Sequence, residues 1–249
     1  MRALVELWGV EAKLFVRDPL TVVFVVALPL VMLYVLNGVF GSETDPTVWE
    51  GRPPVDFYTP SYVALVSATT GVLSVPVHLA SYREQGVLRR FQASALSPVA
   101  LLGAQVGVAA AAASVGAVAL SVASVLSNGA RLPASWPGVL AAHLLVSAAF
   151  AALGVLLGLL LPTARTAQGL GVLLFFVFLM LGGAGPPREV LPTGLRVVAD
   201  AIPLTYAARV MRAPWLDRSW DWSATAVVLA LLAVSCVAAA WRSSAWRPD

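Results

Sequence analysis

The sequence predicts an all-α membrane protein with six transmembrane helices, and three observations carry that expectation. The 249-residue chain is 59% hydrophobic and 12% charged, whereas soluble domains are about 45–50% apolar and about 25% charged. Mean hydropathy is +0.84, and the apolar residues gather in runs close to the ~20 residues that cross a bilayer. The charges fall mostly in short segments between those runs. No polar segment is long enough to fold around a core of its own. One membrane domain therefore spans 1–249, and any soluble engine belongs on another chain.

Residues 1–18 are too polar to span. On a helix, Arg2, Glu6, Gly9, Lys13 and Arg17 share one narrow face, and Leu4, Leu7, Trp8, Leu14 and Phe15 lie opposite. That is the pattern of a helix lying in the membrane interface. Glu11 projects from the apolar face, where it either snorkels to water or a nearby Arg, or makes a charged contact with another helix. Asp18 and Pro19 give a helix start, with Pro where its missing N–H costs least. Leu20 to Phe40 is the first span, and Pro29 predicts a kink in it. A cleaved signal peptide is the competing reading, but the apolar core is too long and no small-residue cleavage pattern follows. Gly41 to Pro60, with Glu43, Asp45, Glu50 and Asp56 against Arg52 and with Trp49 and Tyr58, is expected to be an outside loop.

The second span, Ser61 to about Ser81, is the most polar. Ser67, Thr70, Gly71, Ser74 and His78 share one face, which serves close helix packing or lines a substrate path or subunit seam. Asn37 of the first span is a further candidate lining. Tyr82 to Pro98 is a charged island with Arg83, Glu84, Arg89 and Arg90, and nothing else between Ser61 and Leu126 carries a charge. Val99 to Val125 is the third span and contains Gly103-x-x-x-Gly107. After a breaker-rich turn from Ser127 to Pro137, Gly138 to Leu161 is the fourth, with His143, Ser147, Ala151, Gly154 and Gly158 on one face. Both glycine pairs favour tight helix contacts. A second inside loop, Pro162 to Gln168 with Arg165, precedes the fifth span, Gly169 to about Gly183. Pro186 to Trp222 is too polar to span and too apolar for a plain loop. Its stretches Val190 to Ile202 and Leu204 to Met211 predict one or two short helices that dip into the interface, their ends covered by protein. Ser223 to Trp241 is the sixth span, and Trp241, Arg242, Trp246 and Arg247 make an interface anchor.

Several function classes are disfavoured. The basic residues lie in separate loops rather than one patch, which suits orientation in a bilayer better than nucleic acid. Cys236 is the only cysteine, so no intrachain disulfide forms. The spans hold no Asp or Glu and only His78 and His143, whereas an intramembrane enzyme needs a paired acid, base or metal cluster. An ion-driven secondary transporter usually shows intramembrane acids or matching broken helices. Neither a G-x-x-x-x-G-K-[ST] phosphate loop nor an H-E-x-x-H metal site occurs. No catalytic or metal-ligating residue is expected.

With the N-terminus inside, the inside segments hold Arg2, Lys13, Arg17, Arg83, Arg89, Arg90, Arg165, Arg242 and Arg247, against Arg52 and Arg131 in the first two outside loops. That contrast satisfies the positive-inside rule. The last outside segment works against it with Arg188, Arg196, Arg209, Arg212 and Arg218, for which Glu189, Asp200, Asp217 and Asp221 are available partners. Both termini are thus expected to be cytoplasmic. Arginine in place of nearly all lysine is compatible with a GC-rich bacterial genome.

Three features together resemble the membrane subunit of ABC-2 type ABC transporters. One is the interfacial helix, with Glu11, Arg17 and Asp18, leading through VRDPL into a proline-containing first span. A second is the island, where Glu84, Gly86, Leu88, Arg89 and Arg90 followed by Leu96, Ser97 and Pro98 look like the family's E-x-G-x-x-x-R stretch ending in T-P or S-P. The third is Ile202, Pro203, Leu204, Thr205 and Tyr206, followed by Arg209 and Arg212, which is similar to the family's N-P-L-T-Y motif. Ile202 departs from the usual Asn, which puts a polar role there in doubt.

The resemblance implies a six-span permease subunit of a multidrug or antibiotic efflux-like exporter in the plasma membrane, one that pairs with a second permease subunit, expected as a homodimer, and with two ATP-binding cassette subunits. ATP and Mg would sit on those partners and no cofactor on this chain. It further implies that the segment 82–98, with Arg83, Glu84, Gly86, Arg89, Arg90, Ser97 and Pro98, is a cytoplasmic coupling helix. The region 186–222, with Pro203, Leu204, Thr205, Tyr206 and Arg212, would form short re-entrant helices on the outer side. Read as physics, charged side chains at 82–98 make directional contacts with a moving partner, or else they satisfy the positive-inside bias and bind anionic lipid. Asn37, Ser67, Thr70 and Ser74 remain candidates for a substrate path or for packing.

Overall fold

The computed structural model describes residues 19–40, 52–86 and 98–244. The expected interfacial helix, with Glu11, Arg17 and Asp18, lies outside the described residues, as do Arg89, Arg90 and Ser97 of the island. The described residues are helical and contain no strand.

The first helix, α1 (19–40), and the second, α2 (Pro54–Glu84), each contain one wide π turn, at Val23–Ala27 and Thr70–Ser74. The cause is a proline. The N–H of Leu28 bonds the Val23 carbonyl and the N–H of Val75 bonds the Thr70 carbonyl, each one residue ahead of Pro29 and Pro76. A proline lacks the N–H for an i→i−4 bond and its ring crowds that carbonyl, and a wider turn relieves both. Pro29, expected to kink its helix, is accommodated in this way. α2 also begins earlier than its apolar run suggests, because Pro54 occupies the first turn and residues 54–60 are buried. The stretch expected as the end of an outside loop is therefore helix.

The remaining spans are α3 (Pro98–Asn128), α4 (Trp136–Leu160), α5 (Ala164–Leu181) and α8 (Trp222–Ser244). Ser135 caps α4 by accepting from the Gly138 N–H, and Thr163 with Thr166 forms a capping box for α5. The box turns most of the expected loop 162–168 into the first turn of α5. Between α5 and α8 come a 3-10 turn (Arg188–Val190) and two short helices, α6 (Thr193–Ala201) and α7 (Pro203–Trp215). Five of these helices are long and apolar enough to cross a membrane, and α1 contributes a shorter apolar helix.

α2 is the axis of the bundle. Its apolar window is 89% buried, against 22% in α8 and 33% in α3. The reason is close approach by glycine: a Cβ on Gly71 would overlap the Phe150 backbone, one on Gly154 would overlap the Gly71 carbonyl oxygen, and one on Gly158 would come within 2.9 Å of Leu79. The Gly154-x-x-x-Gly158 face thus packs as expected. Gly103 has open space around it. α5 closes over α2 with Gly171 against Val72 and Leu73, and Phe175 meets Phe24 of α1 edge to face at 4.9 Å.

Candidate functional site

The residues the sequence singles out gather at the two ends of α2 and midway along it. Phe57 and Arg83 are separated by 26 residues of helix, roughly 40 Å at 1.5 Å per residue.

At the C-terminal end, Gly86 adopts φ +66, the left-handed conformation that glycine takes without strain, and its N–H bonds the Arg83 carbonyl at 3.1 Å. This is how the island leaves the helix. Arg83 Nη1 donates to the carbonyls of Gly158, Leu159 and Leu161 at 3.0, 3.1 and 2.9 Å. It fills the orphan acceptors at the end of α4 with a charge of the sign the helix dipole favours there. Glu84 and Gln85 are exposed. Pro98 begins α3 on the far side of the island.

Midway along the bundle, the polar faces read in spans two and four meet. Ser67 Oγ lies 3.3 Å from His143 Nδ1, Ser147 donates to Ser67 at 3.2 Å, and Ser114 Oγ of α3 lies 2.9 Å from His143 Nε2. Thr70 bonds back to the Val66 carbonyl, and Ser74 lies 3.3 Å from His78 Nδ1. Ser67, Thr70 and Ser74 are all buried. Asn37 donates to Asn128 Oδ1 at 3.0 Å and so ties α1 to α3.

At the N-terminal end of α2 the short helices form a polar cap. Pro203 opens α7, and Ile202 ahead of it is extended and buried in the core, so an apolar contact stands where the resemblance leads one to look for a polar group. Leu204 is fully buried. Thr205 Oγ1 donates to the Ala199 carbonyl at 2.6 Å and Tyr206 to the Asp200 carbonyl at 2.8 Å, which staples α7 to the end of α6. Arg209 pairs with Asp221 at 2.8 Å and Arg188 with Asp200 at 2.6 Å. The Arg188 hydrogen bond holds the Asp200 carboxyl below its usual range. Arg212 is half-buried: Nε donates to Ser61 at 2.8 Å, Nη2 to the Gly183 carbonyl at 2.6 Å, and the guanidinium stacks 3.5 Å above the Phe57 ring. Loss of hydration pushes its pKa down to about 9 against a smaller opposite pull from Tyr58, so it is charged at neutral pH.

Sequence reasoning missed the roles of Asp56 and Trp215. Asp56 is 1% exposed and accepts the Arg131 N–H at 2.7 Å, while Trp215 Nε1 donates to the Arg131 carbonyl at 3.3 Å. Ala134 and Ser135 donate to the carbonyls of Trp215 and Pro214. Together these bonds bind the α3–α4 loop to α2 and α7. In the sequence Asp56 is one of several acids beside prolines, a pattern of solvated loops, and its partner lies 75 positions away.

A family model described as ABC-2 type transporter matches residues 2–215. The chain belongs to that family. This ABC-2 protein is a multi-pass membrane permease subunit of an ABC transporter, and it is not itself a catalyst; the family generally works with an ATP-binding subunit. The match takes in the island and α7 and stops at Trp215 before α8. Curated proteins yield no match to the chain.

Proposed function

We propose that this permease is the membrane half of an ATP-driven exporter in the bacterial plasma membrane, with both termini cytoplasmic and ATP hydrolysed with Mg on two separate cassette subunits. A second copy of the chain completes the membrane unit. The cargo is amphipathic: a drug, a peptide or a lipid-linked molecule. The segment 82–98 is the docking point for the cassette subunit, with Arg83, Glu84, Arg89, Arg90 and Ser97 as its coupling residues, Gly86 setting the turn out of α2 and Pro98 starting α3. On this reading the outer cap at 186–222 lies where cargo leaves.

One observation carries the proposal. Arg83 joins the island end of α2 to the last carbonyls of α4, so a push on the island moves two packed helices as one body. Glu84→Lys and Arg90→Glu are expected to abolish export, with membrane insertion intact and less cassette subunit co-purifying. Unchanged export with unchanged co-purification of the ATPase would overturn the docking assignment.

A further inference from the structure

We propose that the cavity enclosed by α7, the start of α8 and the Gly183–Val190 turn is an anion site that takes a phosphate group, supplied by a phospholipid headgroup or by a soluble phosphate. The cavity has a volume of about 640 Å³, within the ~300–1,000 Å³ of small-ligand sites. Four arginines line it, Arg188, Arg209, Arg212 and Arg218, against two acids, Glu189 and Asp221.

The arginines of the cavity differ in what meets them. Arg188 is matched bidentately by Asp200, at 2.9 and 2.6 Å, and Arg209 by Asp221. Arg212 bonds only neutral groups, the Ser61 hydroxyl and the Gly183 carbonyl. Among the described residues no carboxylate lies within ion-pairing distance of it. Its charge is partly withdrawn from water and held by dipoles and the Phe57 ring, an arrangement that an anion entering the cavity would complete. A guanidinium fork suits phosphate oxygens in particular.

Two features bring phospholipid to this cavity. Trp220 and Trp222 line it with ring centroids 6.3 Å apart, and Trp222 is exposed, as in the aromatic belts at headgroup level. Beside it Val190, Leu195, Val197 and Val198 are exposed apolar side chains, a surface for acyl chains. The proposal does not depend on the ATP-driven export reading, and its test measures binding.

The full-length protein is purified, exchanged into nanodiscs containing equal phosphatidylglycerol and phosphatidylcholine, and the lipid retained on release is measured by native mass spectrometry. In parallel, inorganic phosphate is titrated while tryptophan fluorescence is read. Arg212→Gln removes the central cation. Because Arg212 also holds Ser61 and Gly183, Arg218→Gln tests the cavity from an exposed position. Wild type is expected to retain phosphatidylglycerol about tenfold over phosphatidylcholine, the worth of one charged contact, with the preference reduced in Arg218→Gln and lost in Arg212→Gln. A saturable fluorescence response to phosphate without lipid preference, weakened in both variants, supports the same site with a soluble source. Equal lipid retention with no phosphate response overturns the proposal, and so does a preference that survives both substitutions.

Discussion

Arg83 reaches from the last turn of α2 to the Leu161 carbonyl at 2.9 Å, just past the end of α4, and bonds Gly158 and Leu159 on the way. Hydrogen bonds from a charged donor contribute about 1.5–3 kcal/mol each and are not additive when shared by one group. Arg83→Gln is expected to lower stability by about 2 kcal/mol, read as an earlier thermal melt in detergent. Under the export proposal it also lowers transport more than it lowers cassette co-purification, because the link it breaks lies behind the docking surface. Equal loss of both would place Arg83 at the contact itself.

Gly154 gives the helix crossing a sharper test. A methyl there would overlap the Gly71 carbonyl and stand 3.0 Å from the Val75 Cβ, whereas one on Gly103 would meet nothing within 4 Å. Overpacking of this kind costs about 1–3 kcal/mol. Gly154→Ala is expected to lower the melting temperature, and Gly103→Ala to leave it unchanged or raise stability by up to about 1 kcal/mol through helix propensity. The reverse order would mean that the α2–α4 crossing is not the tight one.

The contrast between those glycines shows what could be read from the chain. Length and hydropathy place the spans, since crossing a bilayer demands an apolar run whatever it packs against. Periodicity puts Ser67 on one face of span two and His143 with Ser147 on one face of span four, and the structure joins those faces. Pairing between runs is not periodic. Nothing local distinguishes Gly154 from Gly103, or identifies Arg131 as the partner of Asp56. Nor does a proline by itself announce a π turn upstream of it, since Pro60 and Pro214 lie inside helices that have none at those positions. Arg83 illustrates the same limit at the site: its charge marks the island, while its three acceptors lie 75 to 78 positions away.

The staple between α6 and α7 is made by the motif residues Thr205 and Tyr206, through the Ala199 and Asp200 carbonyls. Each bond is worth about 1 kcal/mol. Thr205→Val and Tyr206→Phe are expected to speed hydrogen exchange in residues 193–201 with little change in α2 or α4, and the double variant to do so more strongly. Protection unchanged in all three would mean that α6 is held by its apolar contacts alone.

The acids of the cap give a pH dependence whose sign follows from their surroundings. Burial pushes the Asp221 carboxyl up, but hydrogen bonds from the Ala224 N–H at 2.9 Å, from Ser223 at 2.7 Å and from Arg209 outweigh it and leave the pKa lowered. Asp200 is lowered by Arg188, though that pair is solvent-exposed and contributes little to stability. A carboxylate with a depressed folded pKa contributes its full stability above its unfolded pKa, and loses it as pH falls through the folded value. Cap stability is therefore expected to be flat from about pH 5 to 8 and to fall below about pH 4, the ordinary carboxylate range. Asp221 also caps the start of α8, so Asp221→Ala is expected to cost about 1 kcal/mol at neutral pH, and Asp200→Asn much less. About 1 M salt screens the exposed Arg188–Asp200 pair while leaving the Ala224 bond in place. Fluorescence of Trp220 and Trp222, compared between wild type and the two variants across this range, reads the transition directly. A transition between pH 5 and 8 that persists in both variants would assign the titration to a group other than these two carboxylates.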